Sequence, residues 1–178
     1  MARAAKPKKL DEEALWQYAL RALGQRAHSA SELKQKLSRR ANSPADVSAV
    51  MRKLQEYELT DDRKFSEAFA ASRLQNQGFG RFRVVRELRA RRVAPSIVEN
   101  AVEKAFAGAF EDDLIQRFLE RKYRGKDLRE LLKEEKALAG VYRRLRTAGF
   151  SSSGSLSALK RYSSKEWDEP PEEPESEL

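Results

Sequence analysis

The chain is similar to itself, and that self-similarity limits its fold more than any other feature. Displaced by 51 residues, its apolar positions coincide without a gap. Tyr18 falls on Phe69, Leu23 on Leu74, Leu33 on Val84, Leu37 on Leu88, Val47 on Val98 and Met51 on Val102, while Pro44 falls on Pro95. A displacement of 57 extends the pattern less cleanly, with Val84 on Val141, Leu88 on Leu145, Val93 on Phe150 and Val102 on Leu159. A repeat of this length marks a modular protein whose units bury their apolar faces against one another.

Within each unit the apolar residues recur at helical spacing. In the first, Leu15, Ala19 and Leu23 form one stripe. Ser29-Ala30-Ser31-Glu32 reads as a capping box that opens a second helix carrying Leu33 and Leu37. Ser43-Pro44-Ala45-Asp46 opens a third, with serine at the cap, proline at the first helical position and an acid near the positive helix end. Thr60 or Asp61 caps the next unit, where Phe65, Phe69 and Leu74 line the apolar side and Gly78-Phe79-Gly80 supplies a break. A helix over Arg81 to Arg92 and another from Pro95 follow, and Gly108 marks a junction. The stretch from Tyr123 to Glu135 is too charged to resolve, and Ser151-Ser152-Ser153 opens a last short helix.

The expected fold is all-α: three tandem three-helix repeats over 11–59, 60–108 and 109–162, forming an elongated, curved, modular body. The termini, a basic leader over 1–10 and an acidic tail over 163–178, are expected to be disordered. No long heptad pattern demands a dimer, so a monomer is expected.

Charge points to the partner. The tail from Ser163 holds seven acids and one lysine, a net of −6, so the formal +8 of the chain conceals +14 on residues 1–162. A body that basic suits a polyanion or an acidic protein surface. Arg81, Arg83, Arg86, Arg89, Arg91 and Arg92 crowd six guanidinium groups into twelve residues with Glu87 as the single acid. Arg83, Arg86 and Arg89 are spaced to share an outward face and to meet phosphates or carboxylates with forked hydrogen bonds. The corresponding helices offer Lys34, Lys36, Arg39 and Arg40 in the first unit and Arg143, Arg144 and Arg146 in the third. A basic track across the three units is the expectation. Phe65, Phe69, Phe106 and Phe118 read as core, whereas Phe79 and Phe82 could instead stack on a base.

Enzymatic chemistry finds little here, so a non-enzyme without metal or cofactor is expected. There is no cysteine, and His28, expected at the surface, is the one histidine. That leaves neither a thiolate or histidine-rich metal site nor a histidine-dependent triad. Asp61-Asp62 reads as a helix-start pair and not as metal ligands. Gly78-x-Gly80 lacks the third glycine and the lysine of a phosphate loop. No apolar run approaches a membrane span, and the basic leader runs into Asp11-Glu12-Glu13 and not an apolar signal core. A cytoplasmic protein is expected.

Several segments, in this order and spacing, resemble one family. They are Tyr18-Ala19-Leu20, Arg26, Ser31-Glu32-Leu33, Leu59-Thr60-Asp61-Asp62 with Phe65 and Phe69-Ala70, Gly78-Phe79-Gly80 and Arg86-Glu87-Leu88. Together they look like the RecX family of bacterial regulatory proteins, well over about 14–106 and loosely over 112–160. Glu58 stands where the family's turn commonly has a glycine. The resemblance implies a helical modulator that binds the RecA recombinase filament on single-stranded DNA, in its groove or at its growing end. RecA ATPase and strand exchange would fall, in the setting of DNA repair and the SOS response. The alternative is an independent helix-turn-helix protein that binds DNA or RNA.

Overall fold

The structure, a computed structural model, describes residues 9–162. The leader expected over 1–10 lies outside the described residues up to residue 8, and the acidic tail lies outside them altogether. All the regular elements among the described residues are helical: α1 (Glu12–Gln25), α2 (Ala30–Ser38), α3 (Pro44–Glu56), α4 (Asp62–Ser72), a π-helical turn (Arg73–Gln77), α5 (Arg81–Ala90), α6 (Pro95–Phe106), α7 (Glu111–Lys122), α8 (Leu128–Leu131), α9 (Glu135–Ala148) and α10 (Ser152–Lys160). One isolated parallel bridge joins Leu10 to Ala41, where the Leu10 amide donates to the Arg40 carbonyl at 2.8 Å and the Asn42 amide donates to that of Leu10 at 2.8 Å.

The helices begin where side chains can satisfy their first amides. Ser29 Oγ accepts from the Glu32 amide at 3.1 Å, and Glu32 Oε2 accepts from the Ser29 amide at 3.3 Å. Ser43 and Asp46 make the same reciprocal pair at the start of α3, with Pro44 at the first position. Ser151 caps α10 by accepting from the Gly154 amide at 2.9 Å. In the charged stretch after Tyr123, Asp127 caps the single turn of α8 by accepting from the Arg129 amide at 2.8 Å.

The described residues pack as two compact units. One is built from the chain up to Ala68 and from Leu88–Ala101, the other from Phe69–Glu87 and from Val102 on. The helices α4, α5 and α6 each contribute one segment to each unit. In the N-terminal unit, Leu15, Leu33, Leu37, Val50 and Leu54 are fully buried around α1, α2 and α3. Each such side chain stabilises the fold by about 1.5–3 kcal/mol relative to exposure. The C-terminal unit is cored by Ile115, Leu119, Leu132, Leu138, Leu145 and Phe150, all but inaccessible to solvent. Phe118 meets Phe150 edge-on at 5.6 Å between centroids.

The adjacent acids Asp61 and Asp62 do two different jobs. Asp61 Oδ1 accepts from the Arg63 and Lys64 amides at 2.8 and 3.0 Å, which caps its own helix. The Lys64 amide is foremost in holding its carboxyl below the usual range. Asp62 Oδ1 accepts instead from the Ala30 amide at 2.8 Å, so α4 supplies a cap to α2. Ser29 Oγ, already capping α2, also donates to the Arg91 carbonyl at 2.7 Å. Glu58 takes the left-handed backbone that glycine favours, with φ 53°.

His28 departs from its expected surface position: it is 5% exposed, just before the α2 cap. Neither ring nitrogen has a hydrogen-bond partner. Burial above all, then the nearby charges of Arg26 and Lys36, lowers its pKa from the ordinary 6.5, against a smaller opposing pull from Glu32. The unfolded chain therefore takes up the proton more readily than the folded one. Stability is full above about pH 6.5 and declines as pH falls from there towards the folded value, by at most about 1.4 kcal/mol per pH unit. Urea midpoints measured from pH 7.5 to 5.5 will show this decline, and His28→Gln will flatten it. An unchanged slope in the variant would remove His28 as the cause.

Candidate functional site: the arginine helix

The α5 helix starts on an unusual support. The π turn leaves α4 at Gly78, whose φ of 63° turns the chain, and Gly80 is buried. The Gly80 amide donates to the Ala148 carbonyl at 2.8 Å, and the Phe82 amide donates to that of Gly149 at 3.0 Å. The last carbonyls of α9 thus satisfy amides at the start of α5, and the two helix ends meet with opposite partial charge. A Cβ on Gly80 would lie 2.3 Å from the Gly149 oxygen, and one on Gly149 would lie 2.3 Å from the Arg83 nitrogen. Two backbones touch here because neither residue has a side chain.

Arg83 is committed to this support. Its Nε donates to Glu87 Oε1 at 2.9 Å, its guanidinium lies 3.7 Å from the Phe79 ring centre, and it is half-buried. Arg73 brings its own Nε to Glu87 Oε2 at 2.8 Å and lies over Phe69 at 4.5 Å. Burial would raise the Glu87 pKa, but the hydrogen bonds and charges of Arg83 and Arg73 outweigh it and hold the carboxyl below its usual range. Arg83 and Arg86 also make long contacts, 3.5 Å, with the Thr147 carbonyl at the end of α9.

The remaining candidates divide by environment. In the C-terminal unit, Arg81 and Arg86 are exposed, and Phe82, one turn before Arg86, is 59% exposed. Arg143 is exposed, Arg144 donates to the Tyr123 hydroxyl at 2.9 Å, and half-buried Arg146 donates to the Phe150 carbonyl at 2.6 Å. In the N-terminal unit, Arg89 and Arg92 are exposed, the latter with φ 57°. Arg91 faces Glu32 at 3.7 Å. Lys34, Arg39 and Arg40 are exposed, and Lys36 and Arg40 both approach the Tyr18 ring, at 5.9 and 5.7 Å. Arg83, Arg91 and Arg146 therefore have structural partners, whereas Arg81, Arg89, Arg92, Lys34 and Arg39 present unpaired charge among the described residues.

Sequence reasoning missed four participants. Arg73 could have been found from its spacing to Glu87 only with the π turn known. Gly149 carried no signal beyond following a helix. Arg117 and Arg121 of α7 line a pocket that the repeat pattern does not reveal. Among the described residues no cluster of three or more acids, histidines or cysteines could hold a metal, and no helix is long and apolar enough to cross a membrane.

Capped three-helix modules with helix-turn-helix order, carrying arginine-rich helices, define a class of small modular helical proteins. Family models match two stretches of the chain: the first three-helix domain of RecX over 16–54 and the second over 61–102. A regulatory protein RecX of Chromohalobacter salexigens is 34% identical over 68% of this chain and 79% of its own length. One from a Mycobacterium species is 31% identical over 83% and 81%. One from Halorhodospira halophila is 41% identical over 52% of this chain, and the match spans only 57% of that relative. The chain belongs to the RecX family of regulatory proteins. Two crystal structures share the fold: a regulatory protein RecX, with TM-score 0.64 and 20% identity over 84% of this chain and 71% of the other, and RecX from Lactobacillus salivarius, with TM-score 0.63 and 16% identity over 85% and 96%.

Proposed function

We propose that the chain is a non-catalytic negative modulator of the RecA recombinase in the bacterial cytoplasm. It binds the RecA filament on single-stranded DNA, in its groove or at its growing end, and lowers ATPase and strand exchange. Membership of the RecX family supports this reading. The observation that carries it is the unpaired charge on and just after α5, where Arg81, Arg89 and Arg92 have no acidic partner among the described residues. Such guanidinium groups retain their full capacity for phosphate or carboxylate.

The test is RecA ATPase on single-stranded DNA, titrated with the chain. Inhibition is expected, and Arg81, Arg86 and Arg89 changed together to alanine will raise the half-inhibitory concentration by about tenfold or more, each lost contact weakening binding. Arg83 is left in place because Glu87 and Phe79 hold it, so circular dichroism will show unchanged helix content. Inhibition equal to wild type by the triple variant would remove α5 from the site. No effect of the parent chain on RecA, together with sequence-specific duplex binding, would favour an independent helix-turn-helix protein.

A further inference from the structure

The π turn that ends α4 borders a pocket of about 310 Å³ within the C-terminal unit. Its lining includes Leu74 and Gly78 at the turn and Leu114, Arg117, Phe118 and Arg121 around α7. A π turn gives up regular helical geometry, and such turns recur at functional sites. The Gly78 and Phe79 amides close this one on the Leu74 and Arg73 carbonyls, at 3.0 and 3.1 Å. Arg121 then reaches across from α7 and donates to the carbonyls of Asn76 and Gln77. Its guanidinium is thereby fixed beside the pocket, with N–H groups to spare because arginine carries five.

Arg117 stands one helical turn before Arg121. It is exposed, and its Nε donates to the Asp113 carbonyl at 3.3 Å, which leaves both Nη groups for a ligand. Other acids of the same helix are engaged elsewhere. Ser151 donates to Glu111, Arg161 pairs with Asp112 at 2.8 Å, and Gln116 donates to Glu120 at 2.8 Å. Neither guanidinium has a carboxylate partner among the described residues. The pocket is thus a small hydrocarbon seat on Leu74, Leu114 and Phe118, edged by two forked donors. A phosphate backbone would use the arginines and leave the seat unfilled. A stacked base needs an exposed ring face, and Phe118 is only 8% exposed. The volume lies at the lower end of the range for ligand sites, with room for one anchor side chain. A large apolar side chain with carboxylates beside it matches both parts of the site.

We infer that this pocket docks a partner protein through an acidic peptide segment. One large apolar side chain of the segment fills the seat, and flanking carboxylates accept forked hydrogen bonds from Arg117 and Arg121. Burial of the anchor supplies most of the hold, because exposed ion pairs contribute little and are screened by salt. The two arginines discriminate against neutral and basic segments. The site is distinct from the arginine helix, since none of Arg81, Arg86 and Arg89 lines it. It requires neither RecA nor DNA, so it stands or falls apart from the function proposed above.

The probe is the peptide acetyl-Glu-Asp-Phe-Asp-Glu-amide, titrated into the isotope-labelled full chain at physiological salt and followed by amide NMR shifts. The shifts are expected to concentrate on Leu74, Gln75, Gly78, Arg117 and Arg121. Serine in place of the peptide's phenylalanine should weaken binding about tenfold or more, the worth of one buried ring. Arg117→Glu should weaken it about as much, because like charges then face one another across the contact. Lys136→Glu makes the same charge change at an exposed position outside the lining, where salt screens it, and should alter the Kd less than about twofold. The serine peptide tests the seat without altering the protein, so the inference stays falsifiable whatever Arg117→Glu does to α7. Absence of shifts at the pocket would overturn it, as would a serine peptide that binds equally well. Equal weakening by the two protein variants would reduce the contact to general charge and overturn it too. Stronger shifts of the same amides with oligothymidylate than with the peptide would assign the pocket to nucleic acid instead.

Discussion

Gly80→Ala will unfold the C-terminal unit at markedly lower urea than wild type, with a loss of about 3 kcal/mol or more. The added methyl group would sit 2.3 Å from the Gly149 oxygen, 2.4 Å from its carbonyl carbon and 2.7 Å from the Phe150 nitrogen. All three are backbone atoms and cannot rotate aside. Relief requires α5 to back away from the end of α9, which would break the Gly80-to-Ala148 and Phe82-to-Gly149 hydrogen bonds. Gly149→Ala meets the reciprocal obstacle at the Arg83 nitrogen and adds the strain of a side chain at φ 95°. Gly140→Ala is the control. It lies inside α9 with nothing within 4 Å of its added Cβ, and it should stabilise by about 0.5–1 kcal/mol. Equal stability of Gly80→Ala and wild type in urea would show that the two backbones are not in contact.

Phe150→Ala is expected to cost about 3–5 kcal/mol. Its ring is fully buried and stands edge-on to Phe118 at an interplanar angle of 73°. Truncation leaves a cavity among Phe118, Leu145 and their neighbours in one closely packed cluster. Phe150→Leu keeps much of the volume and should lose about 1.5 kcal/mol or less. Because the Gly80 contact reaches the Phe150 backbone, Gly80→Ala and Phe150→Ala should not add, and a double-mutant cycle will show the coupling. A loss below about 1 kcal/mol for Phe150→Ala would mean that the unit is less closely packed than its burial implies.

Local rules made much of the fold legible. Ser29, Ser43 and Ser151 announce helix starts through chemistry confined to four residues, and each caps as its spacing suggests. The stripe residues Leu33, Leu37, Val47 and Leu54 lie buried because period alone places them inward. What eluded the sequence depends on contacts between distant segments. His28 follows the polar end of α1 and reads as surface, yet packing buries it. Arg83 has the spacing of an outward residue, but Glu87 and Phe79 draw it in. The π turn gives no periodic sign because five residues are too few to establish one. Asp127 was lost among surrounding charges although it caps α8 by the same rule as Ser29.

The union of α9's end with α5's beginning has a kinetic consequence. Terminal amides of a helix ordinarily exchange with solvent deuterium within the fraying time of the first turn. Here the Gly80 and Phe82 amides are bonded to carbonyls of a separate helix, so they should exchange as slowly as amides from the middle of α5. A turn that does not fray keeps the backbone that carries Arg81 in one conformation.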